Sequence, residues 1–413
     1  MPHFEILGVA FLDIFWKFLM NSYFALRRNT YLKASCSTLA LLSVVGLCFT
    51  YYHIFWRESR GELRSDLLAH IGFIDTRLDK IVHPLFHWSV KALSEQLSLS
   101  YIDASIYVLM FYSGLSMACF FYIFYSKLKG LYSVPTMVVA TVSLMAIAAV
   151  WVPWFSENIY LGVGTPNVMH NPTAIVAKPF AFIVLILYFN MVVEAKEKRL
   201  FYYSLACSIV CVLSILAKPN FALAAIFSLP LWMLYCLRRD GWSGWFRLLC
   251  LMAPVLVMVF CLGCQYLSKY GGVGAPDHVV IDFLGVARLR SSSALFSIFL
   301  LSAFPFLFVV FFPRALKNRM ITLALSVFVV ACAQFFILAE SGIDYAAGNF
   351  GWGRQILAPF LFAACFAEFL AIWRAKPNKL EKMKLYIVGF VYCCHLVSGL
   401  IYFDELLTSN TYF

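Results

Sequence analysis

The stretch ALFSIFLLSAFPFLFVVFF, residues 294–312, contains no ionisable side chain. A helix rises about 1.5 Å per residue, so roughly 20 apolar residues cover the ~30 Å of hydrocarbon in a bilayer. Ten further segments read the same way: 34–56, 101–125, 134–152, 173–193, 201–217, 220–237, 248–267, 320–339, 356–373 and 385–402. None alternates with the period of two that a membrane β-barrel requires. Of the 413 residues, 62% are hydrophobic and 13% charged, and mean hydropathy is +0.83. A soluble domain is roughly half apolar and a quarter charged. Soluble enzymes, disordered chains, fibres and disulfide-rich secreted proteins are therefore excluded. The expectation is an all-α polytopic integral membrane protein of about 11 transmembrane helices, forming a single transmembrane domain over 1–413.

Lys and Arg set the expected orientation, because they accumulate in cytoplasmic loops. Twenty of the 32 fall on one side, from Lys17, Arg27 and Arg28 through Lys127 and Arg319 to Lys384. Fourteen of the 21 acids fall on the other. The basic side is read as cytoplasmic, with the N-terminus in and the C-terminus out. The net charge of +11 is then a topology and anionic-lipid signal. It does not call for a nucleic-acid partner. Residues 4–26 place Phe4, Leu7, Phe11, Ile14, Phe15 and Phe18 at helical spacing, which predicts a helix lying on the inner surface. They do not read as a cleavable signal peptide, since the basic pair Arg27 and Arg28 follows them and no basic region precedes them. The 13 cysteines lie in or beside apolar segments, so no disulfide framework is implied.

The outer loops are longer than the inner ones: 57–100 first, then 153–172, 268–293 and 340–355. Long loops on one face of a rigid scaffold are where sites are built. In the first, Leu63, Leu67, Ile71, Ile74, Leu78 and Ile81 form one apolar stripe, and Phe86, Val90, Leu93 and Leu97 a second after Pro84. Both predict amphipathic helices lying on the membrane. Asp66 and His70, four apart, share another face. The second loop carries Glu157 in an aromatic bend, then Gly164-Thr-Pro166-Asn167-Val-Met-His170-Asn171-Pro172-Thr173. Two Ala-Lys-Pro runs follow, at Lys178 and Lys218. Both lysines are expected near the outer surface, each biased away from helix by its proline. The last loop, Gly342 to Gln355, sets four glycines around aromatics and ends on Arg354 at the start of a segment. A guanidinium at a helix N-terminus suits a phosphate. Arg288 and Arg290 lie in the third loop. Each of these residues also has a plain structural reading. Asp66 is then a solvated helix residue, Lys178 and Lys218 snorkel to headgroups, His170 and Asn171 cap a helix, and Arg288 and Arg290 touch headgroups.

This layout, with Ser65-Asp66-Leu-Leu-Ala-His70 on a juxtamembrane helix after the first span and a late Arg354, resembles the GT-C class of polytopic glycosyltransferases. The nearest likeness is to bacterial surface-polysaccharide and O-antigen-modifying enzymes that use polyprenyl-phosphate sugars. The resemblance implies that Asp66 is the general base on an acceptor hydroxyl, with His70 as its neighbour. It implies transfer in one step with inversion, and neutralisation of the departing phosphate by Arg354, Lys178 and Lys218. His170, Glu157, Arg288 and Arg290 complete the substrate-binding set. The partners it implies are a polyprenyl-phosphate-linked sugar donor, a glycan acceptor, membrane lipid, and an enzyme and a flippase that make and present the donor. The setting implied is a bacterial inner membrane with the active site on the periplasmic face. The sequence departs from the paired acids of some members, so no metal or other cofactor is expected. The outer histidines His70, His83, His87, His170 and His278 are able to ligate a divalent ion, but no spacing singles out a site. Two alternatives stay open. One is a polysaccharide polymerase joining lipid-pyrophosphate repeat units, to which Arg288, Arg290 and Arg354 are suited. The other is a flippase or transporter of lipid-linked sugars, which needs charges lining a central cavity; the apolar segments offer Glu368 and the two lysines.

Overall fold

The computed structural model describes residues 30–156, 164–193, 196–241, 244–270 and 278–410. The predicted inner helix 4–26 and Glu157 lie outside the described residues. The elements in chain order are helices α1 (Thr30–Ser59), α2 (Leu67–Thr76), α3 (Leu85–Leu97), α4 (Tyr101–Leu128), α5 (Val134–Met145), α6 (Pro172–Val193), α7 (Glu197–Ala217), α8 (Asn220–Asp240) and α9 (Trp245–Tyr270), strand β1 (Val279–Ile281), helices α10 (Gly285–Arg290), α11 (Ala294–Phe311) and α12 (Arg319–Ile337), strand β2 (Leu338–Glu340), and helices α13 (Trp352–Arg374) and α14 (Lys379–Thr408). Ten of the described helices are long and apolar enough to cross a membrane: α1, α4, α6 to α9 and α11 to α14. The chain is a polytopic integral membrane protein. Capping residues mark many starts. Ser100, Ser133, Ser293 and Asn318 each accept a backbone N–H of the first turn, and Asn378 with Glu381 closes a capping box.

The eleventh predicted span, 134–152, is helical only to Met145, a length of about 18 Å. The chain then runs non-helical from 147 to 152 while Ile147, Ala148 and Ala149 stay buried. Irregular backbone at membrane depth survives only if its peptide groups find partners inside the protein. They do. Ala148 N donates to His395 O at 3.1 Å, Val150 N to Leu300 O at 3.0 Å, and Trp151 N to Ser398 Oγ at 2.9 Å. α11 is bent at Ser302 and contains Pro305. The bend frees Leu300 O and Phe304 N, which an unbroken helix would join to each other. Leu300 O takes Val150 N, and Phe304 N donates to His395 Nε2 at 3.2 Å. His395 Nδ1 donates to Ala148 O at 2.7 Å. One neutral imidazole therefore serves two broken backbones.

Residues 57–100 form α2 and α3 as their stripes predict, but the stripes face the protein. Leu63, Leu67, Ile71 and Ile74 are buried, as are Phe86 and Val90, all within the main core. These side chains are covered by neighbouring helices, because α2 packs on α1, α3 and α4. A second departure from the all-α expectation is the antiparallel pair β1–β2, with Val279 opposite Glu340. The most enclosed spans are α6 and α13, with 78% and 83% of their apolar windows buried. They pack together at the centre of the bundle, and both begin at the same end of it.

Gly399 on α14 meets the irregular stretch so closely that a Cβ there would stand 1.7 Å from Ala146 O. Gly399→Ala is expected to cost about 1–3 kcal/mol or more through overpacking. Gly46→Ala on α1, where a Cβ meets nothing within 4 Å, should leave stability unchanged. Thermal unfolding of the two variants in the same detergent checks this.

Candidate functional site

Asn171 explains why α6 starts where it does. Its Oδ1 accepts Ala174 N at 2.9 Å and Thr173 Oγ1 at 2.8 Å. Pro172, the first helical residue, needs no partner for its missing N–H. The other end of the same amide, Nδ2, donates to Asp66 Oδ2 at 2.9 Å. Asp66 N in turn donates to His170 O at 3.0 Å. The loop between α1 and α4 and the start of α6 are thus stitched together around one carboxylate.

α13 opens on the same space. A cleft of about 310 Å³ is lined by Asp66, His170, Asn171, Trp352, Arg354 and Arg290, among others. Arg354 lies in the first turn of α13, 4% exposed, with its guanidinium carbon 4.2 Å from the centroid of Phe335. That stacking fixes a planar cation in an apolar wall. Arg290, at the end of α10, donates to Ala346 O. Lys218 is buried behind Asn171. Its Nζ is 3.1 Å from Thr173 Oγ1, 3.4 Å from Asn171 Oδ1 and 4.9 Å from the Trp352 ring centroid. Gly164, at φ +80, lets the backbone pass Gln355, where a Cβ would stand 3.1 Å from the amide carbon.

The glycine-rich loop before α13 is held from three sides. Glu340 accepts from Lys269 Nζ at 2.5 Å, from Tyr270 and from Asn349. Asn220 Nδ2 donates to Asn349 O at 2.7 Å. Burial alone would raise the Glu340 carboxyl, but these hydrogen bonds outweigh it and hold it below the usual range. Burial lowers Lys218 to about 8, against the pull of Asp66 and Glu340. Burial also lowers His170 to about 4 although Asp66 pulls it up, so His170 is neutral at pH 7.

Among the sequence-predicted residues, Asp66, His170, Arg354 and Arg290 line the cleft, with Lys218 just behind its wall. His70 does not join them. Its Nδ1 faces His87 Nε2 at 3.1 Å. Burial, helped by His87 and Lys218, lowers His70 to about 3, so it is neutral. Lys178 is also elsewhere. It sits inside α6, contrary to its pre-proline bias, and its Nζ donates to Pro166 O at 2.9 Å beneath the loop that carries His170. Lys218 does follow that bias, with extended backbone at φ −169. Both lysines are buried instead of reaching the headgroups. Arg288 is exposed and absent from the cleft lining. Sequence reading missed Trp352, Phe335, Gln355 and the Glu340–Lys269–Tyr270–Asn349 cluster as parts of the site. The only signal for the first was its place in the glycine-rich run. Among the described residues, no group of three His, Cys, Asp or Glu side chains is arranged to hold a metal. No protein-family model matches the chain, and no curated protein is similar to it.

A cation held near pH 8 makes anion binding pH-dependent. Lys218 is charged below about 8 and neutral above it. Sulfate keeps its charge over this range, so its affinity for the cleft should fall roughly tenfold between pH 7 and 9, the size of one charge-assisted hydrogen bond. In Lys218→Arg the fall should vanish. Tryptophan fluorescence, with Trp352 beside the cation, reads the titration.

Proposed function

We propose that this chain is a membrane glycosyltransferase of the GT-C class, moving a sugar from a polyprenyl-phosphate donor to a surface glycan or lipid-linked acceptor. The observation that supports it is a single juxtaposition. A hydrogen-bonded carboxylate, Asp66, stands on one wall of a cleft whose other walls carry Arg354 and Arg290, with Lys218 behind. Two helix N-termini open on the same space, adding positive potential where a phosphate would sit.

The chemistry follows from those parts. An acceptor hydroxyl gives its proton to the Asp66 carboxylate as its oxygen attacks the anomeric carbon. The bond from that carbon to the phosphate oxygen breaks on the opposite face, with inversion. The departing phosphate keeps the electron pair, and its growing charge is met by the guanidinium of Arg354 and the ammonium of Lys218. Asn171 aims the base. His170, neutral, is a hydrogen-bonding group at the rim and no source of charge. In this reading the membrane is a bacterial inner membrane, the cleft faces the periplasm, and a donor synthase and a flippase act upstream. Arg290 beside Arg354 also favours a second reading, a polymerase that handles lipid-pyrophosphate repeat units.

Asp66→Asn should lower turnover about 10²–10⁴-fold, the usual contribution of a general base, with expression intact. Asn171→Ala should lower it too, with an added stability cost of about 1 kcal/mol for the lost cap. A mass-spectrometric inventory of polyprenyl-linked sugars and surface glycan in cells carrying each variant checks both. Accumulated lipid-monophosphate sugar supports the transferase. Accumulated lipid-pyrophosphate units with chains one unit long select the polymerase. An active Asp66→Asn protein removes both.

A further inference from the structure

A second cleft lies on the same outer loop, at the far end of α2. It encloses about 490 Å³ between the C-terminal turn of α2 and the start of α3. Trp88 forms one wall, 48% exposed. Asp75 and Asp79 line it too, as do Arg77 and Lys91. We infer that this cleft binds a sugar chain, and that the chain is the acceptor. Its role as acceptor rests on the transferase reading; sugar binding itself does not.

The chemistry of the lining is selective. An exposed indole presents a flat apolar face, and a pyranose ring presents a matching face of C–H groups. Its hydroxyls are donors, and they need acceptors beside the ring. Asp75 and Asp79 supply these. Within the described residues neither carboxylate makes an ion pair or a side-chain hydrogen bond, although Arg77 and Lys80 adjoin them in sequence. The cleft also holds two cations, Arg77 and Lys91. The Arg77 guanidinium lies over Phe73 at 5.7 Å, and Lys91 reaches Glu95 at 4.0 Å. The ring contact leaves the Arg77 N–H donors available, so a sugar hydroxyl finds acceptors in Asp75 and Asp79 and a donor in Arg77. A phosphate headgroup would have to sit beside two carboxylates as well as the cations, whereas a neutral sugar uses both kinds of group.

Position connects the two clefts. Asp66 precedes the first turn of α2, and Asp75 and Thr76 end it. Ten residues of helix separate them by about 15 Å, a distance an oligosaccharide of a few units covers. The surface between is low. Ala69 and Gly72 are exposed, and a Cβ on Gly72 would meet nothing within 4 Å. A chain seated on Trp88 can lie along α2 and deliver a hydroxyl to Asp66.

The test uses the full chain in detergent on an array of bacterial surface oligosaccharides. Wild type and Asp66→Asn should retain the same glycans. Trp88→Ala and the double variant Asp75→Asn/Asp79→Asn should lose at least tenfold in signal. Trp88→Phe, with an unchanged melting temperature, should keep part of it and controls for folding. Retention of no glycan, or retention unchanged in Trp88→Ala, overturns the proposal. So does quenching of fluorescence by brominated lipid in nanodiscs that disappears in Trp88→Phe, which would put the indole among headgroups. If Asp66→Asn stays active in cells while array binding depends on Trp88, the transferase reading falls and the sugar site stands. If array binding fails while Asp66→Asn is inactive, the reverse holds.

Discussion

Asn171 uses both ends of one amide, and the arrangement of the cleft follows from that. The oxygen ends α6 with two hydrogen bonds and faces Lys218; the nitrogen grips Asp66. A helix start, a buried cation and a carboxylate are thereby fixed relative to one another by a side chain with two rotatable bonds. α6 is among the most enclosed helices of the bundle, so the carboxylate inherits the rigidity of the core although it lies on a loop. Preorganisation of this kind is what electrostatic catalysis needs, since groups that must move into place lose what they would otherwise contribute.

The opposite wall is built on the same plan with other parts. Arg354 belongs to the first turn of α13 and is flattened on Phe335. The loop leading into α13 is tied to α9 through Glu340 with Lys269 and Tyr270, and to α8 through Asn220. A buried carboxylate held by one ammonium and two neutral donors satisfies the usual condition for a charge in the interior. Each wall of the cleft is thus the start of a central helix, and each start is secured by polar contacts to neighbouring spans.

The spans were legible because the bilayer demands about 20 apolar residues whatever surrounds them. The failure at 134–152 is instructive. Its hydropathy is that of a span, but its second half is paired to α11 and α14, more than 140 residues away, and no local pattern carries that. The amphipathic stripes were read correctly as periodicity and wrongly as lipid contacts, because sequence shows that a face is apolar and not what covers it. Asp66 and Arg354 were found by residue type and setting. His70 was paired with Asp66 by spacing along one helix, yet the Asp66 carboxylate at the head of that helix is held by Asn171, and His70 turns to His87 from the neighbouring one. Lys178 and Lys218 share one tripeptide and differ in fate. The helix holding Lys178 had already begun six residues earlier at Pro172, while Lys218 follows the end of α7.

The half-helix α5 has a bearing on how the protein is made. A segment of 12 helical residues is too short to cross the hydrocarbon by itself, and the non-helical residues after it carry peptide groups that lipid cannot satisfy. Their partners are Leu300, His395 and Ser398. The last two are on α14, so they emerge from the ribosome some 250 residues later. Until then α5 and the residues after it must be sheltered at the translocon or held in a shallow, provisional position. α14 is the keystone of this crossing: a chain without it would leave Ala148 and Trp151 with no partners for their peptide groups.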